Sequence, residues 1–178
     1  MKRYTQAEFD AFERDEKGVK YCPTGDYSQI KSFGDQCRFG DRCIFGRWCI
    51  FGERCSFGRW CIFGECCNFE AYCSFGKRCS FGRWCIFGEQ CSFGDRCDFE
   101  GIGSAKSGYP FAAWIGAGSR KGSKTYFFNL EQGVYVRCGC FSGTLSEFRE
   151  KVRETHGTSS LTDEYLAIAD LVERKFAE

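Results

Sequence analysis

Residues 43–64 read CIFGRWCIFGERCSFGRWCIFG, which is nearly four copies of one six-residue unit, Cys-x-Phe-Gly-x-x. The period runs from Lys31 to Glu100, where Phe fills its position in twelve consecutive units and Cys fills its position in eleven. Gly follows Phe in ten of the twelve units, and Glu70 and Glu100 replace it in the other two. A short period sustained over this length is typical of a repeat architecture.

The spacing within the unit favours short strands separated by corners. Cys and Phe are two residues apart, so a strand directs both side chains to one face and the intervening residue to the other. The Gly after each Phe marks a corner, because a tight bend or a positive φ is easiest at glycine. A helix fits poorly, since a six-residue period would spiral the Phe side chains around its axis. We therefore expect a polygonal coil with Phe and Cys inside.

The order small-x-large-Gly-x-x resembles the hexapeptide repeat of left-handed β-helix proteins, in which Leu, Ile or Val usually fills the large position. The resemblance covers residues 31–100 and implies a mainly β fold, a triangular left-handed β-helix with three units in each turn. Twelve units would make about four turns and a prism about 20 Å long, since stacked strands lie about 4.8 Å apart. Each buried Phe would contribute about 1.5–3 kcal/mol to the stability of this thin solenoid.

The sequence before the repeat predicts a helical cap. Thr5 and Glu8 form a capping-box pattern that begins a short helix, and Gly18 supplies a stop signal for it. The open end of a solenoid needs such a cover to remain soluble. We assign 1–24 to the N-terminal cap and 25–102 to the solenoid.

The sequence after the repeat, 103–178, predicts a small α+β domain that closes the other end. The expected strands are 111–115, 125–130 and 134–141, and the expected helices are 144–156 and about 162–177. Cys138 and Cys140 would alternate with Gly139 along the third strand. The first helix would begin at a second capping box, formed by Thr144 and Glu147.

Composition narrows the choice of partner and compartment. The formal net charge is +1, and residues 31–100 contain 10 basic and 9 acidic side chains, so no bulk charge favours nucleic acid. No apolar run approaches the roughly 18 residues of a membrane span, and the N-terminal residues lack the apolar core of a signal peptide. We therefore expect a cytoplasmic protein, not bound to membranes, whose 15 cysteines are reduced and pack inside the coil.

Catalysis and metal binding are not expected. Many left-handed β-helix proteins are acyltransferases that use a His base, and others are carbonic anhydrases that hold zinc with three His. This chain has a single His, His156, which falls at the end of a predicted helix, and it contains no Cys-x-x-Cys. We therefore expect no enzymatic activity, no metal site and no cofactor.

Three units per turn divide the outside of the coil into three faces. One face carries two Trp–Ile pairs two coils apart, with Cys66 and Asn68 in the coil between them, and the third face is polar. Outward Trp and Ile gain nothing from the interior, so they predict a surface that binds a protein partner or a second copy. The predicted protein-binding residues are Trp48, Ile50, Trp60, Ile62, Trp84 and Ile86. The alternative is that the C-terminal helices fold back over this surface.

A second hypothesis for the function is a site that binds a small anion or a nucleotide. The basic, Gly-rich stretch 116–124 could cradle an anion through its backbone amides, although a solvated hairpin loop explains its composition more simply. The candidate anion-binding residues are Arg120, Lys121, Lys124 and Arg137. The other Gly-rich stretch, 101–108, fails the P-loop pattern because Ala105 stands where a glycine must precede the Lys.

The overall layout resembles uncharacterised hexapeptide-repeat proteins of gut bacteria and their phages, through CPTGDY at 22–27 and VRCGCF at 136–141. We expect a non-enzymatic interaction protein whose rigid solenoid docks on a protein partner or on itself. The resemblance implies, as a refinement, a phage or mobile-element accessory protein that inhibits a host defence protein, as anti-CRISPR proteins do. The third hypothesis for the function is a passive structural solenoid or one that forms polymers.

Overall fold

Strands that lie side by side in the repeat are eighteen residues apart in the sequence. Ile62 pairs with Ile44 on one side and with Ser80 on the other, and both pairings are parallel. Three hexapeptides therefore complete one turn, and their strands build three parallel sheets that enclose the Phe and Cys side chains. This confirms the predicted β-solenoid of about four turns.

The computed structural model describes residues 1–88, 90–100, 103–104, 111–115 and 124–177, and it describes only the backbone of 103–104, 111–115 and Lys124. The chain divides into two compact units, Met1–Tyr109 and Pro110–Glu178.

The strands of the first unit, numbered in chain order, form three sheets. The first sheet contains β1 (Lys20–Cys22), β4 (Cys37–Phe39), β7 (Ser56–Phe57), β10 (Ser74–Phe75) and β13 (Ser92–Phe93). The second sheet contains β2 (Asp26–Tyr27), β5 (Ile44–Phe45), β8 (Ile62–Phe63), β11 (Ser80–Phe81) and β14 (Asp98–Phe99), and β15 (Gly103–Ser104) joins β14 antiparallel. The third sheet contains β3 (Ser32–Phe33), β6 (Ile50–Phe51), β9 (Asn68–Phe69) and β12 (Ile86–Phe87).

The interior is filled by three columns of aromatic rings. Within each column the Phe rings stack at centroid separations of 4.7–5.3 Å and interplanar angles of 2–16°. Rings of different columns meet edge to face, as Phe45 and Phe51 do at 5.1 Å. Burial contributes about 1.5–3 kcal/mol per ring and each ring pair about 0.5–1.5 kcal/mol more, so the columns hold the coils together. The columns are Tyr27-Phe45-Phe63-Phe81-Phe99, Phe33-Phe51-Phe69-Phe87 and Phe39-Phe57-Phe75-Phe93.

Each repeat cysteine from Cys55 onward forms a hydrogen bond between coils. Its thiol donates to the backbone carbonyl of the residue 21 positions earlier, which lies at the corner of the coil below. The Sγ–O distance is 3.3 Å from Cys67 to Gly46 and 3.2 Å from Cys79 to Gly58. A methyl group at this position would fill space without donating to that carbonyl. This contact gives a physical reason for Cys rather than Ala in the small position.

Glycine is needed at the corner for its lack of a Cβ rather than for its φ. The expectation of a positive φ at these glycines is wrong, since the positive φ falls two residues later, as at Trp48 with 56°. A Cβ added to Gly64 would lie only 2.7 Å from the carbonyl carbon of Gly46 in the coil below. The close approach of neighbouring coils therefore selects glycine here.

The N-terminal cap begins as predicted and ends earlier. Helix α1 (Gln6–Asp10) has the full capping box of Thr5 and Glu8. The expected extension to Gly18 is wrong, because α1 ends at Asp10 and Gly18, with φ 78°, lies in a later turn. The buried ammonium group of Lys20 takes the role of a stop signal, donating to the Phe9 carbonyl at 2.8 Å and to the Asp10 carbonyl at 3.2 Å.

Two aromatic side chains of the cap cover the open ends of the columns. The Tyr4 ring stacks on Tyr27 at 4.9 Å, which extends one column by a further ring. The Phe9 ring meets Phe33 edge to face at 5.1 Å and lies parallel to Phe39 at 6.4 Å, which covers the other two columns. The first coil therefore packs against aromatic rings on both sides.

The second unit is an antiparallel sheet followed by two helices. In spatial order the sheet contains β16 (Phe111–Ile115), β17 (Lys124–Leu130), β18 (Gly133–Cys138) and β19 (Phe141–Thr144), and the helices are α2 (Leu145–His156) and α3 (Ser160–Ala177). The capping box of Thr144 and Glu147 at α2 is confirmed. The buried core of this unit contains Phe127, Val136, Leu145, Phe148, Val152, Tyr165, Ile168, Ala169 and Val172.

The single strand expected over 134–141 is wrong. Gly139 adopts φ 59°, which allows a tight turn, and Cys138 pairs with Phe141 across it. Cys138 therefore ends β18, while Cys140 lies in the turn and is exposed. The segment that reads as one alternating strand is the hairpin between β18 and β19.

Removing one ring from the middle of a column should cost more than removing one near the end. Phe63 stacks on Phe45 below and Phe81 above, whereas Phe33 stacks on Phe51 on one side only. We predict that Phe63→Ala lowers the free energy of unfolding by about 3–5 kcal/mol and that Phe33→Ala lowers it less. Denaturant unfolding followed by circular dichroism measures both. Equal, small losses would contradict the stacked interior.

Candidate functional site

The corner residues of the coil adopt a conformation that is unfavourable for their side chains. Eleven of them have φ between 53° and 61°, and none of the eleven is Gly or Asn, the residues that adopt this conformation at least cost. The conformation directs the backbone N–H to the coil above, so that the Trp48 N–H donates to the Glu65 carbonyl at 2.9 Å. The eleven are Gln36, Arg42, Trp48, Arg54, Trp60, Cys66, Tyr72, Arg78, Trp84, Gln90 and Arg96.

Two Trp–Ile pairs protrude from the third sheet. The exposed fractions are 62% for Trp48, 50% for Ile50, 59% for Trp84 and 44% for Ile86. The coil between the pairs presents shorter side chains, so a groove lies between two apolar ridges. The residues that we call the Trp face are Ser32, Trp48, Ile50, Cys66, Asn68, Trp84 and Ile86.

The other two predicted binding residues lie on a different sheet. Trp60 and Ile62 point outward from the second sheet, with exposed fractions of 39% and 49%. The guanidinium group of Arg42, one coil below, lies 5.5 Å from the Trp60 ring. A similar cation–π contact joins Arg47 and Trp48 at 5.9 Å, so it is the smaller exposed fraction of Trp60 that makes this ring less available to a partner than Trp48 or Trp84.

Charge alternates along the corner beside the Trp face. Going up the coils, the column reads Gln29, Arg47, Glu65 and Arg83. The Arg47 guanidinium binds the Glu65 carboxylate at 2.5 Å, and Arg83 binds Glu100 at 3.5 Å. Exposed pairs of this kind contribute about 0–1 kcal/mol, so the column matters more as a charge pattern than as a source of stability.

The structure places only part of the predicted anion site. Arg120 and Lys121 lie outside the described residues, and Lys124 is the first residue of β17, with its backbone alone described. Arg137 lies in β18, opposite Tyr126 and Ser142. The anion site therefore stays a prediction.

A depression of about 590 Å³ lies beside α2, and three of its charged groups are bound to structural partners. The Thr144 N–H donates to Glu147 at 2.8 Å, and this hydrogen bond lowers the pKa of the Glu147 carboxyl. Lys151 binds Glu154 at 2.6 Å. In the ranges that the structure describes, no three His, Cys, Asp or Glu side chains are placed to hold a metal ion. The lining residues are Phe141, Ser142, Glu147, Glu150, Lys151, Arg153 and Glu154.

The cysteines fall into two groups. All 15 lie in the described ranges and are free thiols, and 12 of them are buried. Contact with the thiols of neighbouring coils, together with burial, raises the pKa of Cys73 and of Cys79 above the ordinary range for a thiol. Cys66 on the Trp face and Cys138 are half-buried and Cys140 is exposed, so these three form the accessible group.

Sequence reasoning placed the two Trp–Ile pairs of the Trp face on either side of Cys66 and Asn68 and missed the small residue of the first coil, Ser32, which completes the alternation. The outward strand positions of the third sheet read Ser32, Ile50, Asn68 and Ile86 from coil to coil, so large and small side chains alternate. The signal was present in the sequence at a spacing of eighteen. It is visible only when every outward position of the face is compared, including the small ones.

Comparison with known proteins adds no constraint: no family model, no curated protein and no solved structure matches the chain. None of the helices in the part of the chain that the structure describes combines the length and hydrophobicity needed to cross a membrane.

The burial of the thiols predicts their reactivity. In dilute native protein, a thiol reagent should modify the exposed Cys140 and the half-buried Cys66 and Cys138 faster than the 12 buried cysteines. In denaturant all 15 should react, and a chelator should change neither result. Mass spectrometry of the digested, labelled protein assigns the sites. Rapid native labelling of Cys61 or Cys67 at the rate of Cys66, or a denatured count well below 15, would contradict the buried ladder.

Proposed function

We propose that the chain is a non-enzymatic interaction protein and that the Trp face of its solenoid is the docking surface, for a protein partner or for a second copy. The observation that carries the proposal is the choice of Trp at corners with φ 56° and 58°, Trp48 and Trp84. A bulky side chain gains no stability from this conformation, and Gly or Asn would form the same corner at lower cost. The choice of Trp is therefore explained by what its exposed ring contacts.

The composition of the Trp face also supports docking. Trp is the residue most enriched at interface hot spots, and Ile adds apolar area beside each Trp. Two ridges with a groove between them offer a partner both apolar contact and a hydrogen-bonding floor, the Asn68 amide. A rigid support favours binding, because little conformational freedom is lost when the surface is covered.

The wider biological role is proposed from the resemblance of the sequence. The six-residue register and the three units per turn support a place among the left-handed hexapeptide-repeat β-helices. The likeness to repeat proteins of gut bacteria and phages supports an accessory role in the cytoplasm, such as inhibition of a host defence protein. The buried thiols suit a reducing compartment.

Replacing both indoles should abolish assembly while leaving the coil intact. We predict that Trp48→Ser with Trp84→Ser removes the protein complex or oligomer that wild type forms, as measured by native mass spectrometry of protein purified from the producing cell. The matched control is Tyr21→Ser with Tyr72→Ser on the first sheet, where both side chains are also exposed. Circular dichroism checks that the β signal is retained in both variants.

Three results would overturn the proposal. They are assembly that survives the double Trp substitution, a wild-type protein that is monomeric with no protein bound, and loss of the β signal in the Trp variant. An open-ended series of oligomers lost in the Trp variant would support docking between copies, whereas the same series retained would point to a polymer built through another surface.

A further inference from the structure

We infer that the occupant of the Trp face is a second copy of the chain, bound antiparallel about a twofold axis that passes between the coils of Trp48 and Cys66. This inference rests on the proposed function, because it takes the Trp face as the docking surface and names its partner. Two independent patterns on the face, one of side-chain size and one of charge, select the same arrangement.

Side-chain size alternates with a period of two coils. The outward strand residues are Ser32, Ile50, Asn68 and Ile86, and the corner residues beside the last three are Trp48, Cys66 and Trp84. In the lowest coil the corner residue is Ile30, which is turned inward and is only 1% exposed. Grooves at the first and third coils therefore alternate with ridges at the second and fourth, about 9.6 Å apart at about 4.8 Å per coil.

A surface of this kind fits an antiparallel copy of itself ridge to groove when the twofold axis passes between two coils, and not when it passes through one. When the twofold axis passes between the coils of Trp48 and Cys66, each Trp48 lies opposite the groove of Cys66 and Asn68 in the other copy. Each Trp84 then lies opposite the groove at Ser32, so all four coils are matched ridge to groove. A parallel pair about a twofold along the solenoid keeps the coils level and opposes ridge with ridge.

The charged corner selects the same position of the axis. An antiparallel twofold brings this corner of one copy against the same corner of the other, and an axis between the coils of Trp48 and Cys66 places Arg47 opposite Glu65 at two positions. Since Arg47 and Glu65 also pair within each chain at 2.5 Å, the four groups form an alternating network across the interface. The uncharged Gln29 lies opposite Arg83, which avoids a like-charge contact.

The size of the face predicts a reversible dimer. A sheet of four coils is small beside the roughly 800 Å² per partner of a standard interface. We therefore expect a micromolar dissociation constant, with monomer at about 1 μM and dimer at about 500 μM. Sedimentation or light scattering across this range should show the mass rising from 20.3 kDa to twice that value.

Filling the groove tests the size pattern. Cys66→Trp should weaken the dimer by about tenfold or more, because the ring occupies the place of the partner's Trp48. The variant should fold, since φ is 57° at Cys66 and 56° at Trp48. The matched control, Arg78→Trp, places the same residue at a corner of the second sheet with φ 60° and should dimerise as wild type does.

Reversing the charge of Glu65 tests where the twofold axis lies. Glu65→Arg should weaken the dimer about tenfold, since each new Arg lies opposite Arg47 of the other copy. The double variant Arg47→Glu with Glu65→Arg restores opposite charges between positions 47 and 65, within and between chains, and should restore dimerisation. Labelling provides a third readout, because Cys66 should become protected as protein concentration rises while Cys140 does not.

The outcomes separate this inference from the proposed function. A wild type that stays monomeric at about 500 μM, or a Cys66→Trp variant that dimerises normally, overturns the self-docking inference. If the Trp48→Ser, Trp84→Ser variant then still loses a complex with a different protein, the proposed function stands. If that variant changes no assembly of any kind, both are overturned.

Discussion

Each Phe ring of the repeat stacks on a Phe ring eighteen residues away, at 4.7–5.3 Å, and the rest of the solenoid depends on this contact. The spacing of the rings matches the spacing of hydrogen-bonded strands, so ring stacking and backbone pairing reinforce each other. It also brings the corners of neighbouring coils so close that a Cβ on Gly64 would meet backbone 2.7 Å away. The spacing between coils therefore explains both the stacked Phe rings of the interior and the Gly at the corners.

The features that could be predicted from the sequence are local or strictly periodic. Thr5 with Glu8 and Thr144 with Glu147 are patterns four residues long, and both formed as expected. The Phe register needed only counting by six. The failures were of two kinds. The end of α1 coincides with a contact distant in sequence, the buried ammonium group of Lys20 on the Phe9 carbonyl, whereas the turn at Gly139 is local and was hidden by the alternating pattern around it.

For the candidate site, too, the periodic features could be predicted from the sequence and the backbone conformation could not. Counting by eighteen placed Trp48 and Trp84 on one face and Trp60 on another, as the sheets have them. The sequence did not reveal that the corner φ is positive at these Trp residues, because the glycine of the unit appeared to explain the turn. The exposed Trp rings therefore contribute neither to the corner, which needs no aromatic ring, nor to the interior. The regular spacing of the coils fixes the positions of large and small side chains along one face.

The pairing of strands eighteen residues apart is tested most directly by an NMR measurement of which strands are neighbours. On isotope-labelled protein, this pairing predicts backbone contacts such as those of Ile62 with Ile44 and with Ser80. Each Trp and Ile of the Trp face derives its position from that pairing. Contacts between strands twelve or twenty-four residues apart, or no regular long-range contacts in the repeat, would contradict the coil and with it the docking surface.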